Sequence, residues 1–251
     1  MFIGEMAAPA AALNVIGPAP RVPESEAYLE LNIIARIEND YTTKFGVPRQ
    51  SGLVEEVISR IVFEPEYRAE EALRGLEEFT FLWLIWGFHE AHREAWRPTV
   101  RPPRLGGNTR RGVFATRSPY RPNALGLSSV RLLGREKTPD RGAVLLVAGA
   151  DLMNGTPIYD IKPYLAYADA HPEATGGFTD RVTRRRLEVT WGRDTRGKLT
   201  SAQEEALEEA LREDPRPAYQ DDPERVYAFE FAGRTVRFRV KDGIVLILYC
   251  G

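Results

Sequence analysis

Short runs of β-branched and aliphatic residues, separated by turn residues, fill the first two thirds of the chain. Such runs are typical of strands. We predict strands over 28–37, 53–63, 79–88, 112–116, 125–133, 143–152 and 158–161. The run 79–88 is apolar at both parities, so a central strand buried on both faces is expected there. Many short strands with few helices predict a mainly β fold, closed or nearly closed into a barrel.

Two connections in this part carry local signals of their own. Pro65 suits the first position of a short helix, which would turn Tyr67, Leu73 and Leu76 inward. The segment 138–142 contains Pro and Gly and predicts a turn between two strands.

The pattern changes after about residue 180. Residues 201–213 form the best amphipathic helix, with Ser201 and Glu204 as the expected capping box. Further strands are predicted over 184–191, 226–231, 234–240 and 244–249, with turns at 232–233 and 242–243. We therefore expect a single-domain β-barrel over 27–180 and a small α+β domain over 181–251.

Composition sets broad limits on the class of protein. The chain has 251 residues, a net charge of −2 and 43% hydrophobic residues, which is ordinary for a folded protein. The Ala- and Pro-rich residues 1–26 are expected to be a disordered extension. No apolar run reaches the roughly 18 residues of a membrane span. The lone Cys250 has no internal disulfide partner, which fits a cytoplasmic location.

The charges are unevenly distributed. Between residues 95 and 135 there is no Asp, Glu or Lys. The same segment holds nine arginines: Arg97, Arg101, Arg104, Arg110, Arg111, Arg117, Arg121, Arg131 and Arg135. Such a block predicts a binding surface for a polyanion, and Arg favours bidentate contacts with phosphate. The alternative is a solvated loop whose charges are balanced by acidic neighbours in space.

Several familiar catalytic motifs are missing. The sequence has no glycine-rich dinucleotide or P-loop fingerprint, no H-E-x-x-H and no G-x-S-x-G. His89 and His92 lie close together, but no third ligand is spaced to complete a metal site, so no metal is expected. The residues alone therefore predict a barrel that binds nucleic acid.

Five segments resemble the TrmO family, also called TsaA-like or YaeB-like. They cover 45–54, 74–89, 96–130, 150–169 and 213–219, so the resemblance runs in order through roughly residues 28–250. Two positions depart from the family pattern, since Ser51 stands where Pro is common and Asn154 where Asp is common. Asn154 thus offers no carboxylate.

The resemblance implies a homodimeric β-barrel methyltransferase without the Rossmann fold. It implies S-adenosylmethionine as methyl donor and N6-methylation of N6-threonylcarbamoyladenosine at position 37, in the anticodon loop of threonine tRNA. It also implies that the smaller C-terminal domain helps to hold the tRNA. Two alternatives stay open: a non-catalytic RNA-binding barrel, and a methyltransferase of the same fold with another substrate.

Family motifs place a donor site at nine positions of this chain. These are Pro48, Arg49, Gln50, Phe88, His89, Arg117, Leu127, Asp151 and Leu152. The donor's carboxylate suits an Arg fork, and its sulfonium suits carboxylate oxygens or an aromatic face. Alternative roles are a surface charge for Arg49, a core position for Leu127 and a hydrogen-bonded strand end for His89.

The acceptor needs groups that remove a proton and groups that hold RNA. Asp160, Lys162 and Tyr164 are the predicted acceptor-side residues, with an ordinary ion pair as the alternative for Asp160 and Lys162. The predicted tRNA contacts are Arg101, Arg104, Arg110, Arg111, Arg121, Arg216 and Tyr219, with support from Arg184, Arg185 and Arg186. Arg216 has the alternative role of a structural brace.

Overall fold

The computed structural model describes residues 30–91, 95–102, 105, 108–181, 186–216 and 222–251. Residues 32–251 form one compact unit. The expected N-terminal extension, 1–26, lies outside the described residues. So do Arg184, Arg185, Tyr219 and parts of the Arg-rich segment between residues 95 and 135.

Strands dominate the described part of the chain, which confirms the mainly β prediction. They are β1 Ala35–Glu38, β2 Ile58–Phe63, β3 Phe81–Gly87, β4 Thr99–Val100, β5 Arg111–Gly112, β6 Leu125–Thr138, β7 Gly142–Ala148, β8 Pro157–Pro163, β9 Glu188–Trp191, β10 Tyr227–Phe231, β11 Arg234–Lys241 and β12 Ile244–Cys250. The helices are α1 Ala166–Asp169 and α2 Ser201–Arg212. Short 3-10 helices lie at Pro65–Tyr67, Glu70–Leu73, Leu76–Glu78, Val113–Ala115 and Gly177–Arg181.

Six strands pair side by side into a closed barrel, in the order β1-β2-β7-β6-β3-β8. Every pairing in this ring is antiparallel. The barrel interior is filled by aliphatic side chains, among them Ile37, Ile61, Leu84 and Leu145. Pro65 begins a 3-10 helix as predicted, and Leu73 in the next helix is buried against this core.

The prediction that β3 is buried on both faces is wrong. Leu82, Leu84 and Trp86 are buried, whereas the residues that alternate with them are half-buried. The reason is that the barrel covers only one face of the strand. Phe81 and Trp83, on the other face, line a cleft.

Several predicted boundaries also need correction. The run 112–116 is not a strand, because β5 ends at Gly112 and a 3-10 helix follows. The strands predicted from residues 28 and 53 begin only at Ala35 and Ile58. The strand predicted to reach residue 152 ends at Ala148.

The helix α2 begins one residue earlier than its predicted cap implies. Thr200 is the N-cap, and it exchanges hydrogen bonds with Gln203, so the capping box is not formed by Ser201 and Glu204. Glu204 instead accepts a hydrogen bond from the backbone N–H of Gly197 at 2.6 Å. Of the described helices, none is long and apolar enough to cross a membrane.

The C-terminal strands form a four-stranded sheet in the order β10-β11-β12-β9, in which only β9 runs parallel to its neighbour. Both predicted hairpin turns are confirmed. Ala232 and Gly233 have φ of 50° and 71°, and Asp242 and Gly243 have φ of 52° and 82°. Two successive positive φ angles match the twist that a two-residue hairpin requires.

A second hydrophobic core joins this sheet to the loop between β1 and β2. One face of the sheet packs against α2 and against Tyr41, Phe45, Val54 and Val57 of that loop. Gly46 is needed here, since it has a φ of 101° and a Cβ atom would lie 2.5 Å from the Phe229 ring. The sheet therefore fixes the backbone that carries the predicted donor motif, residues 48–50.

Candidate functional site

A large open cleft of about 2500 Å³ lies against the outer face of β3 and β6. The β1–β2 loop supplies one wall through residues 44–51. The Arg-rich segment between β3 and β6 supplies another, and Asp151 follows β7. Further lining comes from Tyr164, Asp169, residues 175–179, Arg181 and Pro215. Segments far apart in sequence thus meet at one site.

Most of the predicted donor residues line this cleft. They are Pro48, Arg49, Gln50, Phe88, His89, Arg117, Leu127 and Asp151. Leu127 is 58% exposed, so its alternative role in the core is wrong. Leu152 is the exception, because its side chain is wholly buried in the barrel core and does not line the cleft. A ligand in the cleft is therefore out of reach of that side chain.

Asp151 is held by a chain of hydrogen bonds from inside the barrel wall. Trp86 Nε1 donates to Ser128 Oγ at 2.9 Å, and Ser128 Oγ donates to Asp151 Oδ1 at 2.5 Å. Burial raises the pKa of the Asp151 carboxyl, although the Ser128 hydrogen bond and the charge of Arg117 oppose that shift. The cleft thus contains a carboxylate whose charge is poorly solvated by water.

Gly126 allows this chain to form. A Cβ atom at position 126 would lie 2.2 Å from the Trp86 ring, so only glycine lets the indole lie flat against β6. The Phe88 ring meets the indole edge-on, with ring centroids 4.3 Å apart. Close packing against Gly126 and Phe88 therefore helps to hold the indole N–H toward Ser128.

Three predicted residues are linked by hydrogen bonds at the β1–β2 loop. The Arg117 guanidinium donates to Gln50 Oε1, and the Gln50 amide donates to the Arg49 carbonyl. The Arg49 guanidinium donates to the carbonyl oxygens of Asp214, at 3.0 Å, and Arg216. Arg49 is therefore not a mere surface charge, because it ties the donor motif to the segment that follows α2.

The cleft lining is strongly basic. Its cationic residues are Lys44, Arg49, Arg97, Arg101, Arg110, Arg111, Arg117, Arg121 and Arg181, and its anionic residues are Glu90, Asp151 and Asp169. In the described part of the chain, no carboxylate forms an ion pair with the cleft arginines of the segment 97–121. Arg131 differs, since it pairs with Glu55 at 3.1 Å outside the cleft. Among the described residues, ion pairs with acidic neighbours thus do not balance the charges of these cleft arginines.

The predicted tRNA contacts divide into three groups. Four of them line the cleft: Arg101, Arg110, Arg111 and Arg121. Arg104 and Tyr219 lie outside the described residues, as do Arg184 and Arg185. Arg216 takes up its alternative role of a structural brace, because its side chain is only 9% exposed and donates hydrogen bonds of 2.8 and 2.9 Å to Asp214. Arg186 pairs with Glu209 and Glu213 instead.

The predicted acceptor-side residues also separate. Asp160 and Lys162 form an exposed ion pair at 2.8 Å, and neither lines the cleft, so the ion-pair alternative is the one observed. Tyr164 does line the cleft, beside Trp83 at a centroid distance of 5.5 Å. Among the described residues, no three His, Cys, Asp or Glu side chains are grouped to hold a metal ion.

Sequence reasoning missed two supports of the site, Trp86 and Ser128. A signal for Ser128 exists in the alternation of β6, where Ser128 and Val130 are buried while Leu127 is exposed. A hydroxyl on the buried parity of a barrel strand needs a hydrogen-bond partner. No comparable signal marks Trp86, because its indole N–H points to a residue 42 positions away.

Comparison with known proteins identifies the family. The tRNA-methyltransferase O N-terminal domain matches residues 36–170, and the TrmO C-terminal domain matches residues 184–250. The chain is 40% identical to the tRNA (adenine(37)-N6)-methyltransferase of Escherichia coli (strain K12), over 83% of this chain and 92% of that one. It is 46% identical to the protein of the same name from Eikenella corrodens, over 67% and 95%.

A solved structure leads to the same family. The crystal structure of TrmO from Pseudomonas aeruginosa superposes with a TM-score of 0.71 at 30% identity, covering 90% of this chain and all of that one. The two family domains together cover the barrel and the C-terminal sheet. The chain therefore belongs to the tRNA-methyltransferase O (TrmO) family, as its sequence motifs predict.

Proposed function

We propose that this protein transfers a methyl group from S-adenosylmethionine to N6 of adenosine 37 in tRNA. We further propose that the acceptor is N6-threonylcarbamoyladenosine in the anticodon loop of threonine tRNA. One observation carries the proposal. The cleft that contains Asp151, Arg117 and Gln50 is also lined by many exposed arginines. The names of the related enzymes support the reaction and the position.

The cleft residues fit the chemical groups of the donor. When bound, S-adenosylmethionine supplies an electrophilic methyl group on a sulfonium. The Arg117 guanidinium is exposed and suits the donor's carboxylate. The half-buried Asp151 carboxylate suits its positive charge, because attraction between opposite charges strengthens away from water. Phe88 and Leu127 offer apolar surface for the adenine.

The main contribution of the protein to methyl transfer is to position the donor and the acceptor. In-line displacement needs the acceptor nitrogen about 3 Å from the methyl carbon, and small misplacements are costly. Ser128 and Trp86 fix Asp151 from the barrel side. The second core and Arg49 fix residues 48–50 from the C-terminal side. The donor site is thus held by both halves of the compact unit.

The acceptor side of the proposal rests on Tyr164. It is the one predicted acceptor-side residue that lines the cleft, and a phenol oxygen can accept a hydrogen bond from the N6–H group. Asp160 and Lys162 pair with each other outside the cleft, so they have no role in the proposed transfer. The cleft arginines would bind phosphates of the anticodon stem, while the single-stranded anticodon loop places adenosine 37 in the cleft.

Three further parts of the proposal concern the whole molecule. The barrel with its donor site would occupy residues 27–180, and a domain that helps to hold the tRNA would occupy 181–251. The enzyme would act as a homodimer. It would work in the cytoplasm, where tRNA is modified.

The test is transfer of a labelled methyl group from S-adenosylmethionine to bulk tRNA, together with equilibrium binding of the donor. Asp151→Asn should reduce donor binding and transfer, whereas Asp140→Asn, at an exposed carboxylate outside the cleft, should not. Donor binding without transfer to any tRNA would point to another substrate. Failure of both donor binding and transfer would leave an RNA-binding barrel.

A further inference from the structure

Two large aromatic side chains, Trp96 and Phe114, are exposed to solvent at the edge of the cleft. Phe114 is 72% exposed and Trp96 is 50% exposed. Their ring centroids lie 6.3 Å apart, and their planes differ by 29°, so the rings are stacked. Neither residue is needed by the donor site described above. Contiguous apolar surface that is exposed to water is a mark of interaction sites.

The backbone explains why these rings meet. The short strands β4 and β5 pair antiparallel, with Thr99 opposite Gly112. The Val113 N–H extends the pairing by donating to the Pro98 carbonyl at 2.9 Å. Trp96 precedes the first strand and Phe114 follows the second, so both emerge at the same end of the ribbon. The pair is built into the fold of the Arg-rich segment.

The surroundings of the rings favour a polyanion with flat, stackable groups. Arg97 directly follows Trp96, and Arg110 and Arg111 shortly precede Phe114; all three are exposed and line the cleft together with Phe114. The Arg110 guanidinium donates to Thr99 Oγ1 at 3.2 Å, which holds it on the ribbon. Basic groups interleaved with exposed aromatic rings are what single-stranded nucleic acid requires, since phosphates bind the former and bases stack on the latter.

We propose that Trp96 and Phe114 form a stacking platform for an unpaired nucleobase of the RNA substrate. The base would be a neighbour of the reacting nucleotide rather than the reacting base, because the platform consists of residues outside the donor site. The inference rests on the proposed function, in that the RNA occupies the same cleft. Stacking on this platform would hold the RNA loop in an open conformation while its phosphates bind the arginines.

The experiment measures the affinity of the full-length protein for labelled threonine tRNA, as a function of salt concentration. Phe114→Ala should weaken binding about 5-fold to 150-fold, the range expected for loss of one base–aromatic stack. The slope of log affinity against log salt should not change, because no phosphate contact is lost. Phe114→Tyr, which keeps a ring, should restore most of the affinity.

Two matched variants separate stacking from other causes. Arg110→Ala should lower the salt slope by about 1, as expected when one phosphate contact is lost. Tyr167→Ala removes a side chain that is 88% exposed outside the cleft, and it should leave RNA affinity unchanged. Donor affinity should be the same in all these variants.

The outcomes for the platform and for the proposed reaction are distinguishable. Weaker RNA binding by Phe114→Ala in a protein that transfers no methyl group would support the platform and overturn the reaction. Unchanged tRNA affinity in a protein that methylates tRNA would overturn the platform alone. Conversion of a dimer to a monomer by Phe114→Ala, measured by sedimentation, would also overturn it, since the rings would then belong to a contact between copies.

Discussion

Ser128 donates a hydrogen bond of 2.5 Å to Asp151, and the same hydroxyl accepts one of 2.9 Å from the Trp86 indole. The serine is almost wholly buried, whereas the carboxylate lines the cleft. A residue of the barrel wall therefore orients a carboxylate that lines the cleft and opposes the rise in its pKa. Under the proposed function, the ionised form of Asp151 is the one that favours the donor's positive charge.

Replacing Ser128 by Ala should shift the pH dependence of methyl transfer. The hydrogen bond lowers the pKa of Asp151 against the effect of burial, so its loss should raise that pKa further. The acid limb of kcat/KM should therefore move to higher pH. A pH–rate profile of the purified variant measures this shift.

Ser59→Ala is the control for that experiment. Ser59 is equally buried in the barrel and accepts a hydrogen bond from the Asn39 side chain at 3.2 Å, but it does not line the cleft. It should cost similar stability and leave the pH profile in place. Equal profiles for both serine variants would contradict a role for Ser128 in tuning Asp151.

Asp151→Asn should make the donor-free protein more stable at neutral pH. Burial raises the folded-state pKa of Asp151, so the folded state binds this proton more tightly than the unfolded state does. Its contribution to stability is therefore fully present below the unfolded-state pKa and is lost as pH rises through the folded-state value. The variant lacks this loss, so its free energy of unfolding in urea should exceed that of the wild type at neutral pH, with the difference vanishing in acid.

Asp169→Asn provides a control of opposite sign. The Leu165 backbone N–H and the Trp83 indole lower the pKa of Asp169. Its stabilising contribution is present above the unfolded-state pKa and is lost as pH falls through the folded-state value. This variant should be less stable than the wild type at neutral pH. An Asp151 variant that behaves in the same way would show that the ionised carboxylate is net stabilising.

Gly126→Ala should destabilise the fold and weaken donor binding together. The new methyl group would overlap the Trp86 ring, so the indole must shift away from Ser128. Overpacking of this kind costs about 1–3 kcal/mol in the free energy of unfolding. Gly112→Ala is the control, because no atom lies within 4 Å of a Cβ atom there and its φ is −55°. The measurement is thermal or urea unfolding. An equal loss of stability in both variants would contradict the tight packing of Trp86 against Gly126.

Arg216 and Arg101 should differ in what their replacement changes. Arg216→Ala removes two hydrogen bonds from Asp214, which should cost about 1–3 kcal/mol in the free energy of unfolding. Arg101→Ala removes an exposed cleft residue, so unfolding should change by less than about 0.5 kcal/mol while tRNA binding weakens. Normal stability of Arg216→Ala with weak tRNA binding would restore its predicted role in RNA contact.

Local patterns in the sequence predicted most of the secondary structure. The turns at 232–233 and 242–243 follow from Gly233 and the Asp242–Gly243 pair, which suit positive φ, and β6 and β11 follow from their β-branched and aliphatic residues. The errors arise where tertiary pairing decides. The run 112–116 looks like a strand, but the chain turns into a 3-10 helix after Gly112, where β5 ends.

The site was predictable as a set of residues and not as a network. The family motifs predicted that Gln50, Arg117 and Asp151 belong to one site, and all three line the same cleft in the structure. No local pattern reveals that Asp160 pairs with Lys162 away from the cleft, or that Arg216 is buried. Those outcomes depend on which face of β8 is covered and on how the segment after α2 folds back to Arg49.

The central claim is most directly tested by mass spectrometry of tRNA nucleosides. Transfer RNA from cells that lack this gene is incubated with the protein and S-adenosylmethionine and then digested. We predict the mass of one added methyl group on N6-threonylcarbamoyladenosine, and no such product with Asp151→Asn. An unchanged N6-threonylcarbamoyladenosine pool, with the donor bound by the protein, would contradict it.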